Sequence, residues 1–198
     1  MTAERLGVAF VILLLVLPAM AQTPGWLIDY RSGCLIWTRA KAALDSVTWS
    51  GDCVNGLASG TGAIGYLSRG NVIWWGEGTF IQGVREGRGW LANLDGDKIE
   101  GDFRAGEIDG HAVFTSSDGT RFEGEYRGNK RHGEGTMTFG DNTYVGEWRN
   151  DRPDGKGTFT GSMTGAGVST WSGLWVDGCF RDGERRAWLL RTAEECGF

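Results

Sequence analysis

The chain has 198 residues, with 20 Lys and Arg, 25 Asp and Glu and a formal net charge of −5 at pH 7. A mildly acidic chain is a poor candidate for nucleic-acid binding, which needs clustered Lys and Arg to neutralise phosphates. Glycine is in excess, with 34 residues against a typical share of about 7%. With only three prolines and with ten tryptophans, the composition excludes a collagen-like chain and a disordered linker. The glycines therefore indicate a folded, periodic structure.

The N-terminal segment has the layout of a secretory signal peptide. Met1–Arg5 carries one basic side chain, residues 6–17 are almost wholly apolar, and Pro18 precedes the triplet Ala19-Met20-Ala21. This apolar run is shorter than the roughly 20 residues that span a bilayer. We therefore expect cleavage after Ala21 and export to the periplasm or to the exterior. An uncleaved membrane anchor is the alternative.

A repeat follows and runs through most of the chain. Its marker is a glycine with a residue two places later that is aromatic in every copy but the first. The glycines are Gly51, Gly78, Gly101, Gly124, Gly146 and Gly173, and the residues two places later are Cys53, Phe80, Phe103, Tyr126, Trp148 and Trp175. Five places after each glycine lies a residue that tolerates tight turns. A pair of small residues, usually Gly-x-Gly, closes every copy but the sixth, and such correlated columns indicate stacked repeats.

The motif Tyr-x-Gly-x-Trp at residues 144–148, followed by Gly-x-Gly at 155–157, resembles the MORN (membrane occupation and recognition nexus) repeat. The resemblance covers residues 47–180 and is best in the third, fourth and fifth copies. The first copy departs from the pattern with Cys53 in the aromatic column, and the second has Gly76 where an aromatic residue is usual. The family name implies membrane-lipid binding, and the family often occurs in assemblies.

Alternation of side chains predicts the local structure of each copy. In the fourth copy, Phe122, Gly124 and Tyr126 fall on one face of a strand, and both intervening glutamates fall on the other. Each repeat is therefore expected to be a two-stranded hairpin, with the turn of this copy near residues 127–132. Glycines beside aromatic residues leave room for rings from neighbouring strands. The predicted fold is all-β, an elongated, single-layer, twisted antiparallel sheet of stacked β-hairpin (MORN) repeats.

The chain divides into four segments on this basis. They are a signal peptide at residues 1–21, an N-terminal cap at 22–46, six repeats at 47–180 and a C-terminal cap at 181–198. Caps are expected because the ends of stacked repeats expose apolar edges.

The C-terminal cap is predicted to contain a short helix. Within Glu184–Cys196, the residues Leu189, Ala193 and Cys196 fall along one helical stripe. A strand from Arg186 to Leu190 is the alternative.

Four cysteines lie near the two ends of the repeat array and allow three pairings. A linear stack separates its ends, so we expect disulfides between Cys34 and Cys53 and between Cys179 and Cys196. Export to an oxidising compartment would favour their oxidation. Metal or redox chemistry is the alternative, but no C-x-x-C or His-rich spacing supports it.

No catalytic constellation stands out in the sequence. His111 and His132 occupy equivalent places and are interpreted as turn residues. A carboxylate pair for a hydrolase could arise across strands, although interspersed Arg and Lys favour a salt-bridged surface. The carboxylates concerned, which fall on one predicted face, are Glu123, Glu125, Glu134 and Glu147. We expect no enzyme activity, no cofactor and no metal site.

The leading functional hypothesis is a protein-interaction or scaffolding module that binds an unidentified partner or itself. The candidate contact residues are Phe103, Phe122, Tyr126, Tyr144, Trp148, Trp171 and Trp175. The alternative is that these rings are the core of the sheet.

Membrane-lipid binding is possible but not favoured, because anionic headgroups need polybasic patches. The only compact basic cluster of the repeats consists of Arg127, Lys130 and Arg131.

Overall fold

The computed structural model describes residues 25–39, 43–162 and 168–198. Almost all of these residues lie in strands and turns, and none is in an α-helix. The expected signal peptide and its cleavage site lie outside them. The strands are β1 (Gly25–Ile28), β2 (Leu35–Thr38), β3 (Ser46–Trp49), β4 (Asp52–Val54), β5 (Leu57–Ser68), β6 (Asn71–Ile81), β7 (Val84–Asn93), β8 (Lys98–Arg104), β9 (Glu107–Thr115), β10 (Arg121–Arg127), β11 (Lys130–Phe139), β12 (Asn142–Arg149), β13 (Arg152–Gly161), β14 (Ser169–Val176), β15 (Cys179–Asp182) and β16 (Arg185–Trp188).

These strands form a single sheet in which neighbours along the chain are mostly neighbours in space. The order is β1-β2-β5 and then β6 to β16 in sequence, with β3 and β4 also paired to β5. Every pairing is antiparallel except the short contact of β2 with β5, where Leu35 is opposite Leu57. The prediction of an all-β, antiparallel stack of hairpins is confirmed.

Each repeat turns through a two-residue loop in which both residues have positive φ. In the fourth copy these residues are Gly128 (φ 56°) and Asn129 (φ 66°). Such loops match type I′ turns, whose twist suits the twist of the two flanking strands. The other loops are Asn55-Gly56, Gln82-Gly83, Ala105-Gly106, Asn150-Asp151 and Asp177-Gly178. The turn column identified in the sequence is therefore the second residue of each loop.

A second ladder of backbone hydrogen bonds, here called the tip ladder, joins the turns at the hairpin tips to one another. The N–H of the second loop residue donates to a carbonyl oxygen in the preceding hairpin, over 2.8 to 3.1 Å. The five bonds are Gly83 to Ala58, Gly106 to Arg85, Asn129 to Ile108, Asp151 to Arg131 and Gly178 to Pro153. A bulge separates each of the four middle tips from the body of its hairpin, and a bulge bends the strand that carries it. Successive hairpins are therefore joined both along the main sheet and along the tips.

A row of small residues crosses the main sheet from β5 to β14. Its members lie opposite one another on successive strands, and they are Gly62, Gly78, Gly89, Gly101, Ala112, Gly124, Gly135, Gly146, Gly157 and Gly173. Aromatic rings lie over this row: a Cβ on Gly157 would be 2.1 Å from the hydroxyl oxygen of Tyr144. The glycines thus provide the space in which the rings of adjacent strands pack, as expected from the sequence.

The N-terminal hairpin of β1 and β2 lies against the tips of the first repeats. The N–H of Trp37 donates to the carbonyl oxygen of Gly83 over 2.8 Å. The disulfide between Cys34 and Cys53, with Cα atoms 5.7 Å apart, joins this hairpin to β4. Asp29 is 2% exposed, and its Oδ2 accepts the backbone N–H of Trp49 on β3 over 3.3 Å.

The C-terminal segment differs from its prediction. The short helix expected within residues 184–196 is absent, and residues 185–188 form β16, close to the alternative strand. Ala187 and Leu189 are buried whereas Trp188 between them is exposed, which is the period of a strand and not of a helix. The N–H of Leu189 donates to the carbonyl oxygen of Gly178 over 2.8 Å and so extends the tip ladder. The second expected disulfide, Cys179–Cys196, is present, with Cα atoms 5.6 Å apart.

Candidate functional site

Five of the seven aromatic residues proposed as contact residues are linked by ring contacts inside the molecule, in the order Tyr126, Phe122, Trp148, Tyr144 and Trp175. Phe122 lies 5.0 Å from Trp148 between ring centroids, and Tyr144 lies 5.3 Å from both Trp148 and Trp175. All three contacts have nearly perpendicular rings, a favourable arrangement for aromatic pairs. Trp171 lies outside this network, and its ring is 5.6 Å from that of Phe159.

Burial decides what these rings do. Six of the seven candidates are at most 5% exposed, and Trp171 is half-buried. Buried rings cannot meet a partner directly, so the structure favours the alternative in which they form the core. The six buried residues are Phe103, Phe122, Tyr126, Tyr144, Trp148 and Trp175. A candidate binding surface must therefore be sought among the exposed side chains.

A buried arginine that sequence reasoning missed lies in the second repeat. Arg85 is 2% exposed, its guanidinium lies 4.0 Å from the ring centroid of Phe103, and Nη2 donates to the carbonyl oxygens of Glu77 and Trp90. Its Nε and Nη1 have no hydrogen-bond partner among the described residues. Burial lowers the pKa of Arg85, and Tyr66 opposes this shift. Arg85 follows the turn by two residues and points inward, a position that strand alternation could have indicated.

Arg131 occupies the same position in the fourth repeat. It is 4% exposed, lies 4.7 Å from the ring centroid of Trp148 and pairs with Asp151 through Nε and Oδ1 at 3.4 Å. Burial lowers the pKa of Arg131, and the Asp151 carboxylate opposes this shift. Arg131, the third member of the expected basic cluster at this tip, is therefore part of the core. Only Arg127 and Lys130 remain exposed there.

The polar face of the sheet, opposite the rings, carries a groove of about 370 Å³ across β7 to β10. Its charged lining residues are Arg88, Lys98, Glu100, Asp102 and Glu123, and His111 lies among them. Lys98 Nζ lies 3.2 Å from Glu100 Oε2, and Arg88 Nη2 lies 4.0 Å from Glu100 Oε1. Val113 adds an apolar side chain to the floor. The groove thus presents both signs of charge around a small apolar centre.

Both histidines lie in strands, so their interpretation as turn residues is wrong. His111 is in β9 opposite Glu125, and its Nε2 lies 4.0 Å from Glu123 Oε1. His132 is in β11, beside the bulge at Gly133. The two positions are not equivalent either, because His111 lies five residues after the loop residue Gly106 whereas His132 lies three residues after the loop residue Asn129.

The four glutamates considered for hydrolysis do share the polar face, and Glu123 and Glu147 have polar partners there. Glu134 and Glu147 are directly opposite on β11 and β12, and Glu147 Oε1 accepts the N–H of Lys156 over 2.9 Å. Glu123 pairs with Arg121 at 2.6 Å. These ion pairs and hydrogen bonds make a solvated, salt-bridged surface.

Within residues 25–39, 43–162 and 168–198, no three His, Cys, Asp or Glu side chains converge as metal ligands would. No helix in this part of the chain is long and apolar enough to cross a membrane.

Comparison with known proteins identifies the repeat. The family model of the MORN repeat matches residues 77–98, 100–121, 122–143 and 144–165. A search of curated proteins found no match to the chain. The matched residues cover the second to fifth copies of the sequence frame, whereas the first and sixth copies share the hairpin turn but lie outside the matches. Four MORN repeats therefore occupy residues 77–165 of this protein.

Proposed function

We propose that the protein is a non-catalytic, extracytoplasmic interaction module that binds a protein partner on its polar face. The observation that carries this proposal is the separation of the two faces. The bulky rings are used by the core, and the groove between Arg88 and Glu123 leaves charged and apolar groups together at the surface. MORN repeats are known as modules for interaction with proteins and membrane lipids, which agrees with this role.

The extracytoplasmic location is supported by the cysteines and by the N-terminal sequence. All four cysteines are paired, in bonds that close loops at the two ends of the chain. Such bonds persist in oxidising compartments and are rare in the cytosol. Residues 1–21 have the composition of a secretory signal.

A protein partner fits the groove better than a lipid headgroup or a nucleic acid. Arg88 and Lys98 are offset by Glu100 and Asp102 within the same surface, so no uniform positive field attracts phosphates. Lys98 lies 5.4 Å from the ring centroid of Trp90, which places an aromatic surface next to the charges. Mixed charge around an apolar centre is the usual composition of a protein interface.

The test compares two charge-reversal variants of the mature chain, residues 22–198. The first, R88E/K98E, reverses two charges in the groove, and the second, R127E/K130E, reverses two charges at a hairpin tip. The wild type and the two variants are each used as bait in affinity capture from the extracytoplasmic fraction of the source cells. We expect one protein to be captured by the wild type and the tip variant and lost with the groove variant.

Two outcomes would contradict the proposal. Equal capture by R88E/K98E would move the interface away from the groove. Salt-sensitive sedimentation with vesicles of anionic lipid, lost in R127E/K130E, would favour lipid binding by the tip instead. Unfolding midpoints of the two variants, measured in parallel, control for loss of structure.

A further inference from the structure

The main sheet ends on a strand that has a partner on one side only. β14 pairs with β13 along residues 169–175. Towards the C-terminal end it pairs with β15 only at Trp175 opposite Phe180 and at Val176 opposite Cys179. The equivalent strand of the fifth repeat, β12, pairs along its length on both sides. Among the described residues, none therefore pairs as a strand with residues 169–174 of β14 on this side.

The side chains of β14 show the consequences of the missing strand. Gly173 is exposed, whereas the glycines at the same position of the four preceding repeats are buried: Gly78, Gly101, Gly124 and Gly146. Trp171 is half-buried, whereas the equivalent Tyr144 is fully buried. The ring of Tyr144 lies over Gly157 of the second strand of its hairpin. Trp171 has no such glycine, because the sixth hairpin lacks that part of its second strand.

The backbone groups of this edge point outward at alternate residues. Val176 and Cys179 flank a two-residue turn and so hydrogen-bond to each other. Alternation along the strand then directs the N–H and C=O groups of Leu174, Ser172 and Thr170 to the same open side. One of these groups has a partner, because Arg185 Nη2 donates to the carbonyl oxygen of Thr170 over 2.7 Å. In the described part of the chain, one side-chain donor, that of Arg185, thus lies where a paired strand would supply a series of backbone hydrogen bonds.

The opposite end of the array is protected, which makes this edge distinctive. At β3, the N–H of Trp49 donates to the buried carboxylate of Asp29, and the disulfide Cys34–Cys53 holds the covering hairpin in place. Natural proteins usually cover or block sheet edges, because an open edge pairs with other chains. Here the tip ladder is closed by β16 at the C-terminal end, while the main sheet is left open beside it.

We propose that the edge of β14 between Thr170 and Leu174 binds an extended segment of a partner protein as an added antiparallel strand, which completes the sixth repeat. This proposal goes beyond the proposed function, because it adds a second binding site on a strand outside the groove. Strand addition draws affinity from main-chain hydrogen bonds and specificity from alternate side chains.

The register of the sheet defines the segment that fits. β13, which pairs with the other side of β14, places Gly157 opposite Gly173, Thr158 opposite Ser172 and Phe159 opposite Trp171. The second strands β11 and β13 place the same kinds of residue opposite β10 and β12. The bound segment therefore needs a glycine opposite Gly173, a short polar residue next to it and an apolar side chain opposite Trp171.

The probe for this site is a synthetic peptide with the sequence of residues 130–139, which is strand β11. Its control carries valine in place of the glycine at position 135, because a branched side chain would collide with the ring that should cover that residue. Binding to the mature chain is followed by tryptophan fluorescence, and amide hydrogen exchange locates it. We expect the glycine peptide to bind and to slow amide exchange at Ser172 and Leu174. The affinity of the valine peptide should be lower by a factor of at least about ten.

Three variants test the edge itself. S172P removes an outward N–H and places a ring on the open side, so it should weaken peptide binding by about ten-fold or more. S172A is its matched control and should bind as the wild type does. R185A frees the carbonyl oxygen of Thr170 and should bind more tightly, which keeps the test decisive even if S172P is poorly folded. Equal binding of the two peptides, or of S172P and S172A, would overturn the proposal.

The oligomeric state separates this partner from a second copy of the chain. Three results together would show that the edge serves self-association: a wild-type dimer by light scattering, a monomeric S172P and no binding of the peptide. The proposal would then be wrong. Peptide binding should persist in R88E/K98E, because the groove lies on other strands. Failure of the peptide test together with groove-dependent capture would remove the strand site and leave the proposed function standing.

Discussion

Phe122 occupies the space that Gly135 leaves on the neighbouring strand. A Cβ built on Gly135 would lie 2.4 Å from the Phe122 ring, far inside van der Waals contact. The same ring meets Trp148 edge-on at 5.0 Å, and Trp148 Nε1 donates to the carbonyl oxygen of Gly135 over 3.2 Å. One glycine therefore fixes the positions of two rings from two different hairpins.

The first prediction is that G135A is strongly destabilising. The added methyl group must displace Phe122, and overpacking of this kind costs about 1–3 kcal/mol in the free energy of unfolding. Urea unfolding of the wild type, G135A, F122A and the double variant measures the coupling between the two positions. Because F122A removes the ring that collides, the double variant should be less destabilised than the sum of the single effects. Strict additivity would show that the ring and the glycine do not share this space.

The second prediction contrasts the two buried arginines. R131M removes the cation that pairs with Asp151 and should lower the free energy of unfolding by about 1–3 kcal/mol. R85M removes a buried cation that has no carboxylate partner among the described residues, so stability should be unchanged or higher. R88M, exposed on the polar face, is the control and should stay within about 0.5 kcal/mol. A larger loss for R85M than for R131M in chemical denaturation would contradict this reasoning.

The third prediction concerns the tip ladder at Asn129. This residue has φ 66°, and its Oδ1 accepts the N–H of Ile108 over 2.8 Å. N129G keeps the turn and loses the side-chain bond, so it should cost about 1 kcal/mol. N129V also places a β-branched residue at positive φ and should cost about 1–2 kcal/mol more. An unfolding midpoint of N129V equal to or higher than that of N129G would rule out this account of the turn.

The fourth prediction is a pH dependence of stability that depends on Asp29. Burial favours the neutral acid, but hydrogen bonds from Arg31, Ser32 and Trp49 outweigh it, and the pKa of Asp29 is lowered from 3.8. Because the folded pKa lies below the unfolded one, the carboxylate stabilises the fold at neutral pH, and this contribution is lost as pH falls through the folded pKa.

D29N is the matched variant for this test. It should lower the free energy of unfolding by about 1–3 kcal/mol at pH 7, and the difference from the wild type should shrink below about pH 4. Urea unfolding at a series of pH values measures both curves. A difference that stays constant down to pH 2 would mean that the charge of Asp29 is not involved.

Local patterns in the sequence predicted the hairpins, their turns and the cysteine pairs. Each of these depends on residues close in the chain or on the order of the repeats: Asn129 and Gly106 tolerate positive φ, and a linear array keeps Cys34 away from Cys179. The inward position of Arg131 follows from the same alternation, but its charge favoured the surface. Residue type alone therefore misplaced a side chain that the period of the strand placed correctly.

The candidate site was harder to predict because it depends on which groups remain uncovered. The aromatic column, including Tyr126 and Trp148, is apolar enough for either a core or an interface, and only the tips that pack over it decide between them. The helix expected near Leu189 was wrong for a related reason. Its apolar spacing also fits a strand, and pairing with β15 selected the strand.

The tip ladder gives the molecule a modular length. Each tip bonds only to the tips next to it in the array, so excision of residues 122–143 would bring Asp151 opposite Ile108, the place that Asn129 holds now. The carboxylate of Asp151 already accepts the N–H of Arg131 and could accept that of Ile108 in the same way. The array can therefore gain or lose whole hairpins while both ends, with their disulfides, keep their present contacts.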